Sequence, residues 1–300
     1  MESLKYIDFE KSFDALKNIP SFGVAGNFTG HLEQAGEAAD FINLKVQDKS
    51  APKGVFPTFL PDCSSSDISK NSRITPVFLH EFPFDSSKII FPKNEEKLQI
   101  EPECGVVFDL KWSENQIVNL KPLVFGASND CSIRKQGAKK ISEKKNWGAC
   151  SKGLAQNLIP LDGFSSKSNI NDYRIASFLV REGKIFEYGE DSEIKNYSYI
   201  YENLISWLLE KLNNQKDEGP LENIHNYLLE SGKPQNIMVS IGATRYTSWG
   251  ENNYLQNHDE TIVIVYPQSI YSKEQIIKMI ENNNINDKKI SVLRQKICSE

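Results

Sequence analysis

The sequence predicts an α+β fold in a single domain over residues 1–300, carrying a long insertion at about 45–99. Three observations point there. Short runs rich in β-branched and aromatic residues, "CGVVFDL" (104–110), "NIMVSIG" (236–242) and "TIVIVYP" (261–267), have strand character. "SYIYENLISWLLEKL" (198–212) places Ile200, Leu204, Trp207, Leu208 and Leu212 on one side of a helix. No internal repeat and no linker divides the chain, and 300 residues at 39% hydrophobic and 10% aromatic content suffice for a packed core.

In chain order, Phe9, Phe13 and Leu16 predict a short helix over 5–18, closed by Pro20. "SFGVAGNFTG" (21–30) reads as a strand entering a glycine-punctuated turn, and a helix over 30–41 follows with Leu32, Ala35, Ala39 and Ile42 as its buried stripe. Residues 45–99 are loop-like, serine-rich at "DCSSSDISKNSR" (62–73), with short strands at "ITPVFL" (74–79) and "KIIF" (88–91). A strand over 103–110 leads through the hairpin-like "KWSENQIVNLKP" into apolar "LVFGASND" (123–130). Residues 131–146 are expected to be helical and 147–160 to form a glycine-containing loop. A β-hairpin over 174–188 turns at "REGK". After the 198–212 helix come the strand at 236–242, a loop through 250, the strand at 261–267 and a helix from about 272.

Composition narrows the function classes. The net charge is -5 and Lys and Arg are dispersed, which argues against nucleic acid as the main partner. The N-terminal stretch lacks the apolar core of a signal peptide, and the apolar runs are too short to span a bilayer. Cysteines 63, 104, 131, 150 and 298 show no CxxC pair and no disulfide-framework spacing. A soluble, cytoplasmic protein with reduced thiols and no membrane partner is expected. Cys104 and Cys131 are read as small core residues.

The chemistry concentrates at "IEPECGVVFDL" (100–110). Residues two apart in an extended chain point to one side, so Glu101 and Glu103 should project together, and like charges that close raise each other's pKa unless a cation intervenes. Asp130 ends an apolar strand nearby in sequence pattern. Three carboxylates at strand ends suit one face of an octahedral Mg²⁺ site, with open positions for substrate. Spacing alone equally allows three solvated surface acids.

Further motifs match in order. "GNFTGH" supplies Asn27, Phe28 and His31; Glu101-Pro102-Glu103 heads a strand; Asn129-Asp130-Cys131-Ser132-Ile133-Arg134 follows; Lys152 lies in "WGACSKGL"; "GKPQNIMVSIGAT" comes near the end. Over about 21–268 the chain thereby resembles the fumarylacetoacetate hydrolase superfamily, as a divergent bacterial member. The resemblance implies a mixed β-sandwich roll with peripheral helices, and Mg²⁺ (or Mn²⁺) held by Glu101, Glu103 and Asp130. It implies His31 and Lys152 as catalytic residues, with Asn27, Gln34 and Arg134 at the substrate. The implied substrate is a small 2-oxo or β-dicarbonyl acid, undergoing decarboxylation, tautomerisation or C–C hydrolysis through a metal-stabilised enolate. A homodimer is also implied.

The departures matter. The acid that orients the family's histidine is Gln34 here, the Phe-x-Lys element appears as Phe59-Leu60-Pro61 without its lysine, and Gly-Thr-Pro has become Gly242-Ala243-Thr244. A neutral Gln34 predicts a weaker His31 base, hence decarboxylation or tautomerisation rather than hydrolysis. Arg134, expected on a helix four residues after Asp130, would pair with it or clamp a substrate carboxylate. The intact carboxylates and Lys152 favour an enzyme; Gln34 and the lost Thr-Pro favour a non-enzymatic relative binding a metabolite or protein partner. The insertion is expected to cover or border the site.

Overall fold

A computed structural model describes residues 13–41, 48, 50–62, 74–135 and 137–299. In chain order, a 3-10 turn at Phe13–Asn18 leads into β1 (Ser21–Ala25), α1 (His31–Gln34) and β2 (Gly54–Phe59). Then come β3 (Lys88–Phe91), β4 (Leu98–Gln99), β5 (Pro102–Ser113), β6 (Gln116–Asn129) and β7 (Ser132–Ile133). Helix α2 (Ile141–Lys145) precedes β8 (Gly153–Leu154), β9 (Ile159–Pro160), β10 (Tyr173–Arg181) and β11 (Lys184–Glu193). The last third holds α3 (Tyr201–Asn214), α4 (Ile224–Glu230), β12 (Asn236–Ala243), α5 (Ser248–Asn252), β13 (Glu260–Pro267), α6 (Lys273–Glu281) and β14 (Ser291–Ser299).

Seven strands form one sheet in the order β2-β1-β12-β5-β6-β8, with β9 also on β6. Five form a second, β11-β10-β13-β14-β3, and β4 pairs with β7 alone. Both large sheets are mixed: β1 runs parallel to β12, and β14 to β3, among antiparallel neighbours. Val106, Phe108, Phe125 and Val239 of the first sheet share one core with Ile175, Val263, Val265 and Leu293 of the second and with Leu204, Leu208 and Leu212 of α3. Fully burying such a side chain is worth about 1.5–3 kcal/mol, so this seam dominates the stability. On the outer face of the second sheet, Phe178, Ile262 and Ile264 pack against Ile276 and Ile280 of α6. The result is the α+β sandwich with peripheral helices that the sequence predicts.

Alternation along β5 sends Cys104, Val106 and Phe108 into that seam and Val107 to the opposite face, with Phe59, Leu154 and Met238. Glu103, in phase with Val107, belongs to this second face. The β10–β11 hairpin forms as predicted: Arg181 pairs with Lys184 across Glu182 (φ 51°) and Gly183 (φ 75°), the doubly positive geometry of a type I′ turn. α6 begins at a capping box between Ser272 and Gln275.

Several expectations need correction. The 30–41 helix stops at Gln34, Gly36 takes φ 70°, and a 3-10 turn follows at Ala38–Phe41. Leu32 is buried but Ala39 is exposed; Ile42 lies outside the described residues. The 131–146 helix shrinks to α2, because Ser132 and Ile133 extend to pair with β4 and Gly137 adopts φ 83°. "KIIF" is β3, but "ITPVFL" forms no strand: Val77–His80 is a 3-10 turn. Inside the segment read as loop, β2 joins the first sheet at its edge, where Pro57 leaves no interior ladder bond unmade. Beyond the predicted C-terminal helix, β14 was not expected. Residues 5–12 of the first predicted helix and 63–73 of the serine-rich stretch lie outside the described residues. No helix among those described is long and apolar enough to cross a membrane.

Candidate metal centre

The β5–β6 register pairs Pro102 with Asn129 and Glu103 with Ser128, so Glu101, Glu103 and Asp130 all sit at the open end of one hairpin. Asp130 N–H donates to the Glu101 carbonyl (3.1 Å), and Glu101 N–H donates to Asn129 Oδ1 (3.2 Å), which locks the two strand ends together. Asn129 Nδ2 in turn donates to Gln295 Oε1 of β14 (3.0 Å). One oxygen from each of the three carboxylates lies within 4.8 Å of the others, and all three residues are buried. The acidic pair read from the sequence therefore does face one way and does meet Asp130.

Their electrostatics diverge. Burial pushes the Glu103 carboxyl well above its usual range, and the charges of Asp130 and Glu101 push it further; the Gly242 N–H donated to its Oε2 (2.8 Å) offsets only part of this. Burial also acts on Glu101, but Lys145 and Arg134 outweigh it and hold that carboxyl well below its usual range. Lys145 Nζ lies 2.5 Å from Glu101 Oε2 and 2.8 Å from Asp130 Oδ2. Lys152 Nζ donates to Asp130 Oδ1, and to the Lys145 carbonyl at 2.8 Å. Arg134 Nη1 stands 2.7 Å from both Glu101 Oε1 and Glu37 Oε1, and Lys144 Nζ 3.1 Å from the latter.

His31 joins the cluster. It is buried, its Nε2 is 3.9 Å from Glu101 Oε1, its ring leans on Tyr246 at 5.3 Å, and neither nitrogen has a hydrogen-bond partner among the described residues. Gln34 does not touch it. Its amide is bonded both ways to the Tyr246 backbone (Nε2 to O 3.1 Å, N to Oε1 3.0 Å), with Glu251 at 3.4 Å. The acid beside His31 is thus Glu101, immediately before β5, and the inference from a neutral Gln34 to a weak base loses its footing.

Two further expectations change. Arg134 extends from β7 rather than a helix and meets Glu101 and Glu37, not Asp130. Its remaining N–H groups go to Gln99 Oε1 (2.8 Å) and Tyr246 Oη (2.6 Å), so the guanidinium is held inside the protein rather than presented to a substrate carboxylate. Asn27 is likewise framed: Nδ2 donates to Ile241 O (2.7 Å) and Tyr199 O (3.0 Å), and Oδ1 accepts from Tyr199 N (2.8 Å). Within Gly242-Ala243-Thr244 it is the retained glycine that has a local cause. Gly242 sits at φ 120°, and a Cβ there would come within 2.9 Å of Asn27 Cβ.

Sequence reasoning missed Lys145, Lys144 and Tyr246. "SEKKN" looks like a solvated helix face, yet Lys144 and Lys145 are only 3% and 2% exposed. The available signal was collective: Glu37, Glu101, Glu103 and Asp130 leave a buried acidic set that Arg134 and Lys152 alone do not neutralise.

The donor set suits a small hard cation. All three candidate ligands are oxygens, with no cysteine or second histidine in the group among the described residues, which favours Mg²⁺ or Mn²⁺ over Zn²⁺. Among the described residues, Glu101 Oε1 and Asp130 Oδ2 are buried without an aligned hydrogen bond, each facing a cation, Arg134 Nη1 at 2.7 Å and Lys145 Nζ at 2.8 Å. A cavity of about 10 Å³ adjoins them, lined by His31, Glu37, Phe56, Glu103 and Lys145, with room for one water or one ion.

Comparison with solved structures places this fold. The protein Cg1458, solved with an inhibitor, is 12% identical, with 94% of this chain and 77% of that one covered at a TM-score of 0.55. A 2-keto-3-deoxy-D-arabinonate dehydratase complexed with magnesium and 2,5-dioxopentanoate is 14% identical, with 100% and 83% covered at a TM-score of 0.52. A 5-carboxymethyl-2-hydroxymuconate delta-isomerase from Mycobacterium smegmatis is 11% identical, with 94% and 79% covered at a TM-score of 0.51. At these identities the likeness establishes the fold, which is fumarylacetoacetate-hydrolase-like. No curated protein sequence matches the chain. A family model described as a family of unknown function, DUF5718, matches residues 37–297, and the chain belongs to that family.

Proposed function

We propose that this chain is a divalent-cation-dependent enzyme acting on small 2-oxo or β-dicarbonyl acids, with Mg²⁺ or Mn²⁺ held by Glu101, Glu103 and Asp130. The observation that carries the reading is the meeting of three buried carboxylates with a buried histidine whose nitrogens are both unbonded among the described residues. The same fold in a dehydratase solved with magnesium and a dioxo acid supports it. A bound cation would supply positive charge for the keto and carboxylate oxygens of such a substrate.

The chain's own residues divide the remaining work. His31, unbonded and beside Glu101, is placed to take or give a proton at the cavity. Lys152 holds Asp130 in place from behind, which makes it a positioning residue rather than a direct substrate contact. Arg134 performs the same service for Glu101 and Glu37. Since Gln34 is not the partner of His31, C–C hydrolysis stands level with decarboxylation and tautomerisation. The cavity of about 10 Å³ is tight, closed in by His31 and Leu32 of α1 and by Ile141 and Lys145 of α2. That closure is also the observation favouring a second reading, a non-enzymatic scaffold that binds a metabolite or protein partner.

Oxaloacetate and an acylpyruvate, assayed side by side with Mg²⁺ and with EDTA, separate the two. The enzyme reading expects cation-dependent turnover of at least one, lost in Glu103→Gln. Absence of turnover of any 2-oxo acid by folded, Mg²⁺-supplied protein would favour the scaffold.

A further inference from the structure

Four carboxylates (Glu37, Glu101, Glu103, Asp130) and four cationic side chains (Arg134, Lys144, Lys145, Lys152) meet at the cluster, each side chain at most 9% exposed. Their formal charges cancel before any ion is added. Among the cations, Lys145 has a special place. It bridges two of the three proposed ligands, Glu101 Oε2 at 2.5 Å and Asp130 Oδ2 at 2.8 Å, and it lines the cavity that they border. An ammonium set between two carboxylates neutralises the same carboxylates that a divalent ion would bind. Arg134 and Lys152 each touch only one of the three.

We propose that Lys145 is a tethered counter-cation that competes with the divalent ion for the carboxylates, so that loading the site displaces its ammonium from Glu101 and Asp130. The inference rests on the proposed metal site and adds what controls its occupancy. Lys145 has somewhere to go: its ammonium already lies 5.2 Å from the centre of the Phe56 ring, a face that attracts cations. Its carrier α2 is five residues long, between Gly137 and Gly148 at φ 83° and 119°, which limits what must move with it. Asp130 Oδ2 is the oxygen over which the two cations would compete, and Glu101 Oε1, which Lys145 does not contact, is the ion's first hold.

Binding of Mn²⁺, read from the electron paramagnetic resonance of the free ion, tests this on the whole chain. Lys145→Met should bind Mn²⁺ about tenfold or more tighter than wild type, the scale of one removed neighbouring like charge, and Lys145→Arg should bind no tighter than wild type. Equal affinity in wild type and Lys145→Met would overturn the competition while leaving the metal site standing. No binding to either, with native circular dichroism in both, would overturn the metal site as well. A measurement on unmutated protein guards against misfolding of the variant. A crystal structure of the wild-type protein with Mn²⁺ bound should show the Lys145 ammonium beyond hydrogen-bond distance of Glu101 and Asp130. An ammonium still bridging both carboxylates with Mn²⁺ in place would refute displacement.

Discussion

Lys152→Met removes one ammonium from the buried network while keeping most of the side chain's volume. The side chain is 1% exposed, and Nζ donates to the Asp130 carboxylate and to the Lys145 carbonyl. Removing one partner of a buried ion pair costs about 3–5 kcal/mol, because the other charge is left uncompensated. Asp130 keeps its 2.8 Å contact with Lys145, which places the loss near the lower end, about 3 kcal/mol. The orphaned Lys145 carbonyl adds about 1 kcal/mol. Against a total stability of about 5–15 kcal/mol, this is a large fraction. Urea unfolding followed by tryptophan fluorescence measures it, with Lys184→Met, exposed beside the β10–β11 turn, as a control expected within about 0.5 kcal/mol of wild type. A loss below about 1 kcal/mol in Lys152→Met would refute the reasoning, since no buried pair that weak matches the network described.

Gly242→Ala forces a side chain into a left-handed conformation against Asn27, and should cost about 1–3 kcal/mol in chemical unfolding and weaken Mn²⁺ binding through the Gly242–Glu103 bond; wild-type stability would contradict this. Burial raises the Glu222 carboxyl from 4.5 to about 7, so the folded state holds a proton that the unfolded state releases. Its contribution to stability therefore falls as pH rises from 4.5 to about 7 and is flat above, by at most about 3 kcal/mol; Glu222→Gln should flatten that slope, and parallel slopes would contradict the assignment. The segment 45–99 is proposed to be an insertion bordering the site, as Pro83 and Asp85 bond to the Lys152 backbone at 3.0 Å. Hydrogen exchange should show protection at 83–85 on adding Mg²⁺ and oxalate, and unchanged exchange there would argue against it. A homodimer is expected by light scattering, with a monomer overturning the expectation.

The β-rich core was readable because period-two alternation and β-branched runs report local backbone and burial together. Val263 and Val265 in "TIVIVYP" meet the seam, and Leu204, Leu208 and Leu212 recur at the helical spacing that buries them. The short helices were not, since Gly36 and Gly137 interrupt patterns that otherwise look helical, and β2 carries a proline that only an edge position tolerates. At the site, Glu101, Glu103, Asp130, His31 and Lys152 were legible from order along the chain. Their partners were not. Glu37 and Lys145 reach the cluster only through tertiary packing, and a lysine pair in a charged run carries no local mark of burial. Gln34 shows the reverse error, a residue in the expected slot whose amide binds the Tyr246 backbone instead.

The central claim is that Glu101, Glu103 and Asp130 hold a divalent cation. Crystals grown with Mn²⁺ and oxalate, measured for anomalous scattering from manganese, test it most directly. The account predicts one anomalous peak bonded to an oxygen of each of the three carboxylates, with the Lys145 ammonium moved away from Glu101 and Asp130. A map with no peak there, and Lys145 still bridging both carboxylates, would contradict it.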